Sequence, residues 1–486
     1  MRTGTVCFVL LAALASAPVR ADINLAPGTA INFGDGTSQS TAAGSGSGVP
    51  SDHGGTNCTV SGAGAFVGGG DQNTASGDYS AVAGGQCNQA TASYATIAGG
   101  GPSDTSNPTT TSNTVTDNYG TVCGGADNQA GDAARDATDA EYATVSGGRS
   151  NTASGEGATV GGGEYNSAEA AFATIAGGGP SDTENPATTN NQVTDDYGTV
   201  GGGGRNQAGD ASADTTDAMF STVAGGENNI ASGYAATIGG GRINQATNWD
   251  ATVAGGFANV ASGVRSVIAG GYLNTATDSL AFVGAGQDNA ASGTGSVVTG
   301  GGCNTASGTY SAVLGGFANE ASGHYSFALG QFALASHDDS FVWNSYSHDR
   351  TSYAAETFNV HASGGIYFNG GSVHTTSDRN AKADIEAIEP TEVLDKVVAM
   401  PISTWRYKDE EGDRRHIGPM SQDFHAAFPL GGDNRFITTV DVDGVALAAI
   451  QGLHARLSER DRTIQSLTET VVALAERLEA LEKTAK

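Results

Sequence analysis

The chain has 486 residues, among them 73 glycines and 11 prolines, and 51 acidic against 22 basic side chains give a formal net charge of −29. That length admits two or three domains and a large core, while abundant glycine without matching proline excludes collagen and a Pro-rich linker. The acidity makes nucleic acid and anionic membrane surfaces poor partners.

At the N-terminus Arg2 precedes an apolar run from Val6 to Leu14, followed by small residues and Val19-Arg20-Ala21. This predicts a Sec signal peptide over residues 1–21, cut after Ala21, and a secreted or cell-surface chain. The run is too short to span a membrane, and no later stretch approaches ~18 apolar residues. Residues 22–59 read as a linker. Cys7 leaves with the signal, and Cys58, Cys87, Cys123 and Cys303 remain. An oxidising compartment permits disulfides among them, but small core or turn positions are the expectation. No CxxC or Cys/His spacing marks a metal site, and neither a metal nor a cofactor is expected.

Residues 60–338 form a repeat array. Asn229, Asn244, Asn259, Asn274, Asn289, Asn304 and Asn319 recur every 15 residues, as do Val223, Ile238, Val253, Ile268, Val283, Val298 and Val313. A period this short, with one β-branched residue per turn and Gly-rich corners, predicts a β-solenoid. Ala-x-Val-x-Gly-Gly alternates like a short strand, and glycines are expected to supply the corner conformations with positive φ. The asparagines read best as a stack of amides bonded along the solenoid.

A longer duplication overlies this period. Ile97-Ala-Gly-Gly-Gly-Pro-Ser-Asp recurs at Ile175, 78 residues on, and the Val/Ile steps from Ile97 to Val122 and from Val122 to Val145 show insertions of 10 and 8 residues. These predict loops on one side, a common place for binding surface. Trp249 is the only tryptophan of the array, so no aromatic platform for sugars is evident, and Gly-Gly-x-Gly-x-Asp calcium repeats are absent. So small a coil buries little apolar surface for its length, and association of several chains would cover its sides. The units resemble the head repeats of YadA-like trimeric autotransporter adhesins, with 15 residues in place of the usual fourteen. The resemblance implies a trimeric β-roll and an adhesin-like fibre, and does not extend to the β-barrel anchor of that family.

Residues 339–371 carry alternating aromatics, as in Ser340-Phe-Val-Trp-Asn344 and Phe358-Asn-Val-His361, and predict a β-rich neck. Composition then changes. Eight arginines and no lysine precede Thr376, and Lys382 is the first lysine of the chain. From Ile450 a heptad places Ile450, Leu457, Ile464, Val471 and Leu478 at a, and Leu453, Arg460, Leu467, Leu474 and Leu481 at d. Nine apolar positions of ten predict a coiled coil over 449–486.

Ser377-Asp-Arg-Asn-Ala-Lys382, Leu394, Ile402-Ser-Thr-Trp-Arg-Tyr407 and His416-Ile-Gly-Pro-Met-Ser-Gln-Asp-Phe424 follow one another before that heptad. Their order resembles the peptidase S74 domain, the intramolecular chaperone of endosialidase tailspikes, with Pro419-Met-Ser421 where the family usually has an apolar pair and Ala. The resemblance implies a mixed α/β chaperone over 372–448 that trimerises and cuts itself off at Thr376–Ser377. Ser377 would be the nucleophile and Lys382 its base, a pairing that works where burial favours the neutral amine. Asp378 is a candidate support for the lysine or the turn, and His416, Gln422 and Asp423 read as packing residues. The whole chain is then expected to be mainly β, a homotrimeric β-solenoid fibre with a cell-surface or glycan ligand. The alternatives are a β-helical polysaccharide-degrading enzyme with the same chaperone, and an uncleaved trimerisation module.

Overall fold

The computed structural model describes residues 30–32, 38–40, 55–134, 136–362, 366–367, 374–408, 413–431 and 433–484. The expected signal peptide and its cut after Ala21 lie outside the described residues, as does much of the linker. The chain divides into two units, residues 1–361 and 362–486.

In the first unit two parallel ladders of eighteen strands each run from Thr59–Val60 and Phe66–Val67 to Arg350–Thr351 and Phe358–His361. Most strands are two residues long, and each pairs in register with its counterpart one coil on, as Thr237-Ile238 does with Thr252-Val253. The inner residue of one strand is mostly alanine (Ala231, Ala246, Ala261) and of the other Val or Ile (Ile238, Val253, Ile268), all without solvent exposure. One column of each kind fills the coil. The aromatics expected to form a separate neck instead supply its last rungs, Phe327-Ala328 pairing with Phe341-Val342 and Phe341-Val342 with Phe358-Asn359.

The asparagine column is a continuous ladder from Asn73 to Asn319, every member buried. A typical member, Asn259, donates from Nδ2 to Gly255 O at 3.0 Å, to Gly271 O at 3.0 Å and to Asn244 Oδ1 at 3.1 Å. Its own Oδ1 accepts from the backbone and side-chain nitrogens of Asn274 at 3.0 and 3.1 Å. Both ends of each amide are thus satisfied inside the coil, and the ladder serves structure. At its end Ala333 N donates to Asn319 Oδ1.

The corners correct one expectation. The Gly-Gly corner needs its glycine, since a Cβ on Gly256 (φ +99) would lie 2.6 Å from Asn259 Nδ2 and collide with Gly271 O. The other two corners put non-glycine residues at positive φ, such as Tyr79 (58°), Tyr94 (60°), Cys87 (59°) and Cys303 (55°). Each costs roughly 1–2 kcal/mol against right-handed backbone. Cross-coil bonds hold them there: Tyr94 N donates to Asp78 O at 2.8 Å and Cys87 N to Asp71 O at 2.9 Å. Cys58, Cys87, Cys123 and Cys303 form no disulfide.

The inserted segments occupy two different corners. Residues 101–112 and 179–190 follow the Val/Ile strand, whereas residues 131–140 and 209–218 follow the Ala strand. The first kind folds on an aspartate turn: Asp104 Oδ1 accepts from Ser106 N at 2.8 Å and Asp182 Oδ1 from Glu184 N at 2.9 Å. Because insertions keep coil register, aromatics at uneven spacing also align. Tyr79, Tyr94, Tyr119 and Tyr142 stack with centroids 5.2, 4.9 and 4.9 Å apart, and Phe172, Tyr197 and Phe220 at 5.0 and 5.1 Å. An aromatic stack therefore exists where none was expected, but its inner rings cover one another's faces.

The second unit contains α1 (Pro390–Ala399), an antiparallel strand pair (Ser403–Trp405 with His416–Gly418), α2 (Ser421–Ala427) and the 46-residue α3 (Thr439–Thr484). Pro390 opens α1, where its missing N–H costs no helical bond. Gly452 of α3 lets the two helices meet, because a Cβ there would strike Pro390 O and lie 3.1 Å from Leu394 Cβ. Arg456 closes the contact on Asp395 at 2.6 Å. Beyond it the seam residues Leu457, Ile464, Leu467, Val471, Leu474, Leu478 and Leu481 are all at least half exposed. The helix spans about 70 Å at 1.5 Å per residue, and within the chain only its N-terminal part is covered. No helix is long and apolar enough to cross a membrane among the described residues.

Candidate active site

Residues 376–382 are held by a single 3-10 turn, Arg379–Ala381. Asp378, extended at φ −64 and ψ 133, caps it: Oδ1 accepts from Asn380 N at 3.0 Å and from Asn380 Nδ2 at 3.2 Å. Lys382 ends the turn in extended backbone, its N–H donating to Arg379 O at 3.2 Å. The reversal brings together side chains five residues apart. Lys382 Nζ donates to Ser377 Oγ at 2.8 Å. Of the two roles open to Asp378, its carboxylate is engaged in the cap.

Thr376, Ser377, Asp378 and Lys382 are all exposed in the single chain. An exposed peptide bond beside a hydroxyl and an amine in hydrogen-bond contact meets the first geometric condition for attack on the preceding carbonyl. The second condition is a neutral amine, which needs the lysine shielded from water. The chain alone does not provide that shielding.

The other motif residues lie in the elements that follow. His416 stacks on Trp405 with centroids 4.7 Å apart and meets Tyr407 at 5.5 Å, gripping the strand pair. Gln422 and Asp423 lie in the first turn of α2, where Asp423 suits the positive helix end. Phe424 and Phe428 are buried and 5.5 Å apart. His416 is thus engaged in ring packing, while Gln422 is exposed on the helix.

Two groups of carboxylates went unforeseen. Asp117, Asp132 and Asp139 converge in the solenoid, and so do Asp195, Asp210 and Asp217. Each trio unites a corner aspartate with two from the insertion one coil later, so no short motif announces it.

No curated protein matches the chain. Residues 377–432 match the family model Peptidase_S74, described as the chaperone of endosialidase. The β-solenoid is therefore followed by a C-terminal S74 chaperone domain whose first matched residue is Ser377.

Proposed function

We propose that the chain is a secreted, homotrimeric, adhesin-like fibre whose S74 domain trimerises it and then cuts itself off at Thr376–Ser377. The observation that carries this reading is the Lys382 Nζ to Ser377 Oγ bond of 2.8 Å at the first residue of the family match. Ser377 Oγ attacks the Thr376 carbonyl carbon while the Lys382 amine takes the hydroxyl proton. The C–N bond breaks, and the proton passes to the departing α-amine of Ser377. An ester then joins Thr376 to Ser377 Oγ, and water opens it to a Thr376 carboxylate and a free Ser377 hydroxyl. No external substrate is turned over.

Two surfaces support association. One is the exposed apolar seam of α3. The other is the outward-facing column of the Val/Ile ladder, which is mostly threonine from Thr96 to Thr252 and then reads Val267, Phe282, Val297, Ala312, Phe327, Phe341 and Phe358. The solenoid thus turns apolar over its last seven rungs. Three chains aligned by their helices would bury both surfaces, and the same association would shield Lys382. Cleavage then follows assembly, and losing the aligning domain leaves the fibre kinetically trapped.

A cell-surface or glycan ligand remains the proposed partner. Sedimentation of the full chain carrying Ser377→Ala tests the assembly step: a trimer is expected, and a monomer at micromolar concentration would contradict it.

A further inference from the structure

The two decorated coils repeat one arrangement, built around an aspartate at a corner that other coils fill with glycine (Gly77, Gly155), alanine (Ala92, Ala170), Asn248 or Asp278. At Gly77 or Gly155 a Cβ would collide with the carbonyl oxygen of Ala92 or Ala170 in the next coil. After Asp117 and Asp195 the next coil departs at this corner into residues 131–140 or 209–218. The side chain fills the space left. A Cβ on Gly131 would strike Asp117 Oδ2, and one on Gly209 would strike Asp195 Oδ2.

Both aspartates are without solvent exposure. Asp117 Oδ2 accepts from Thr116 Oγ1 and Asp132 N, each at 3.0 Å. Asp195 Oδ2 accepts from Thr194 Oγ1 at 3.1 Å and Asp210 N at 2.9 Å. The second oxygen is the informative one. Asp117 Oδ1 is buried with no hydrogen-bond partner, and Asp195 Oδ1 has only a 3.4 Å contact from Ala218 N. Carboxylate oxygens of Asp132 and Asp139, or of Asp210 and Asp217, lie within 4.8 Å of the corner aspartate's ligand atom and of each other. A buried carboxylate with a poorly satisfied Oδ1 that faces two further carboxylates calls for a counter-ion or a proton.

The duplication gives an internal control. Between the copies Asn118 becomes Asp196, Arg135 becomes Ala213, Glu141 becomes Met219 and Tyr142 becomes Phe220. The three aspartates, the glycine beneath them and the Asp-x-Thr turn ahead of the third aspartate are all retained. In that turn Asp136 Oδ1 accepts from Thr138 Oγ1, and Asp214 Oδ1 from Thr216 Oγ1, both at 2.6 Å. Seven of the ten insertion residues 131–140 recur unchanged in 209–218, and the two aspartates that complete each trio, Asp132/Asp210 and Asp139/Asp217, are among them.

We infer that each trio is a divalent-cation site for calcium, formed by Asp117, Asp132 and Asp139 and again by Asp195, Asp210 and Asp217. All-oxygen donors select a hard cation. One buried and two exposed carboxylates leave room for backbone oxygens and waters in the irregular shell that calcium accepts and magnesium disfavours. The ion would pin each insertion to the corner it leaves.

The experiment is calcium titration by calorimetry into full-length protein stripped with EGTA at neutral pH, with magnesium titrated separately. The expected result is two calcium sites per chain and a higher melting temperature in calcium than in EGTA. Asp117→Asn or Asp195→Asn should remove one site each. Should either buried variant fail to fold, the exposed Asp139→Asn and Asp217→Asn supply the same loss without touching the core. No calcium binding by the wild type, equal binding by the Asp139→Asn/Asp217→Asn double variant, or a melting temperature indifferent to calcium would overturn the inference.

Discussion

Lys382 Nζ and Ser377 Oγ stand 2.8 Å apart across a turn of three residues that Asp378 caps. The pair is therefore set by local backbone, while both side chains lie exposed in the single chain. Geometry comes from the turn, and the shielding that proton transfer requires must come from another surface.

That division predicts different behaviour for neighbours in sequence. Asp378→Ala removes the cap but neither reacting group, so it should slow cleavage without abolishing it, at a cost of about 0.5–2 kcal/mol to the turn. A time course of band conversion on denaturing gels reads this. Complete loss would mean that Asp378 acts on the lysine directly.

If association shields Lys382, breaking the helical seam should block cutting at a distance. Leu467→Asp and Leu474→Asp place charges in the apolar stripe of α3 (Thr439–Thr484). They should leave the chain monomeric in sedimentation and uncleaved. A cleaved monomer would separate the two events. Phe282→Ser, in the apolar rungs between Val267 and Val297, should weaken the released fibre's trimer while leaving cleavage intact.

The amide ladder should be intolerant along its length. Asn259→Ala leaves Gly255 O, Gly271 O and Asn244 Oδ1 short of a donor and Asn274 N short of an acceptor. Each stranded buried group costs roughly 1–3 kcal/mol, and denaturant melts of the variant fibre should show a loss of at least that size. A change below about 0.5 kcal/mol would fit a surface role instead.

The buried aspartates set a pH dependence. Burial comes first among the causes that raise Asp117 and Asp195 above the ordinary 3.8. Their protonated forms are favoured in the folded state, so their contribution to stability is fully present below the unfolded value and is lost as pH rises through the folded one. In EGTA, wild type should therefore lose stability relative to Asp117→Asn/Asp195→Asn as pH climbs above about 4. Calcium should restore it. Parallel melting curves for the two proteins across that range would remove the basis of the prediction.

What the sequence revealed followed periodicity. A column such as Asn229 to Asn319 keeps its spacing, so its stacking was legible, and the heptad from Ile450 marked a helix that the structure extends back to Thr439. Corner conformation was not legible. Glycine is the default at positive φ, yet Tyr79 and Cys87 occupy it because cross-coil backbone bonds enforce it. Insertions hid the rest: Tyr94, Tyr119 and Tyr142 fall 25 and 23 residues apart and read as scattered, though they stack. The Asp117 trio exists only because a corner and the following insertion fold onto one point. At the proposed cut site the turn and the Ser–Lys contact follow from six consecutive residues, whereas the proposed shielding by other chains has no counterpart in that segment.

The most direct test of the account is the intact mass of the purified fibre after denaturation, wild type beside Ser377→Ala and Lys382→Ala. The expected result is a wild-type chain ending at Thr376, a second fragment beginning at Ser377, and one uncut chain from each variant. Wild type intact under conditions where it sediments as a trimer, or either variant cut at Thr376–Ser377, would contradict it.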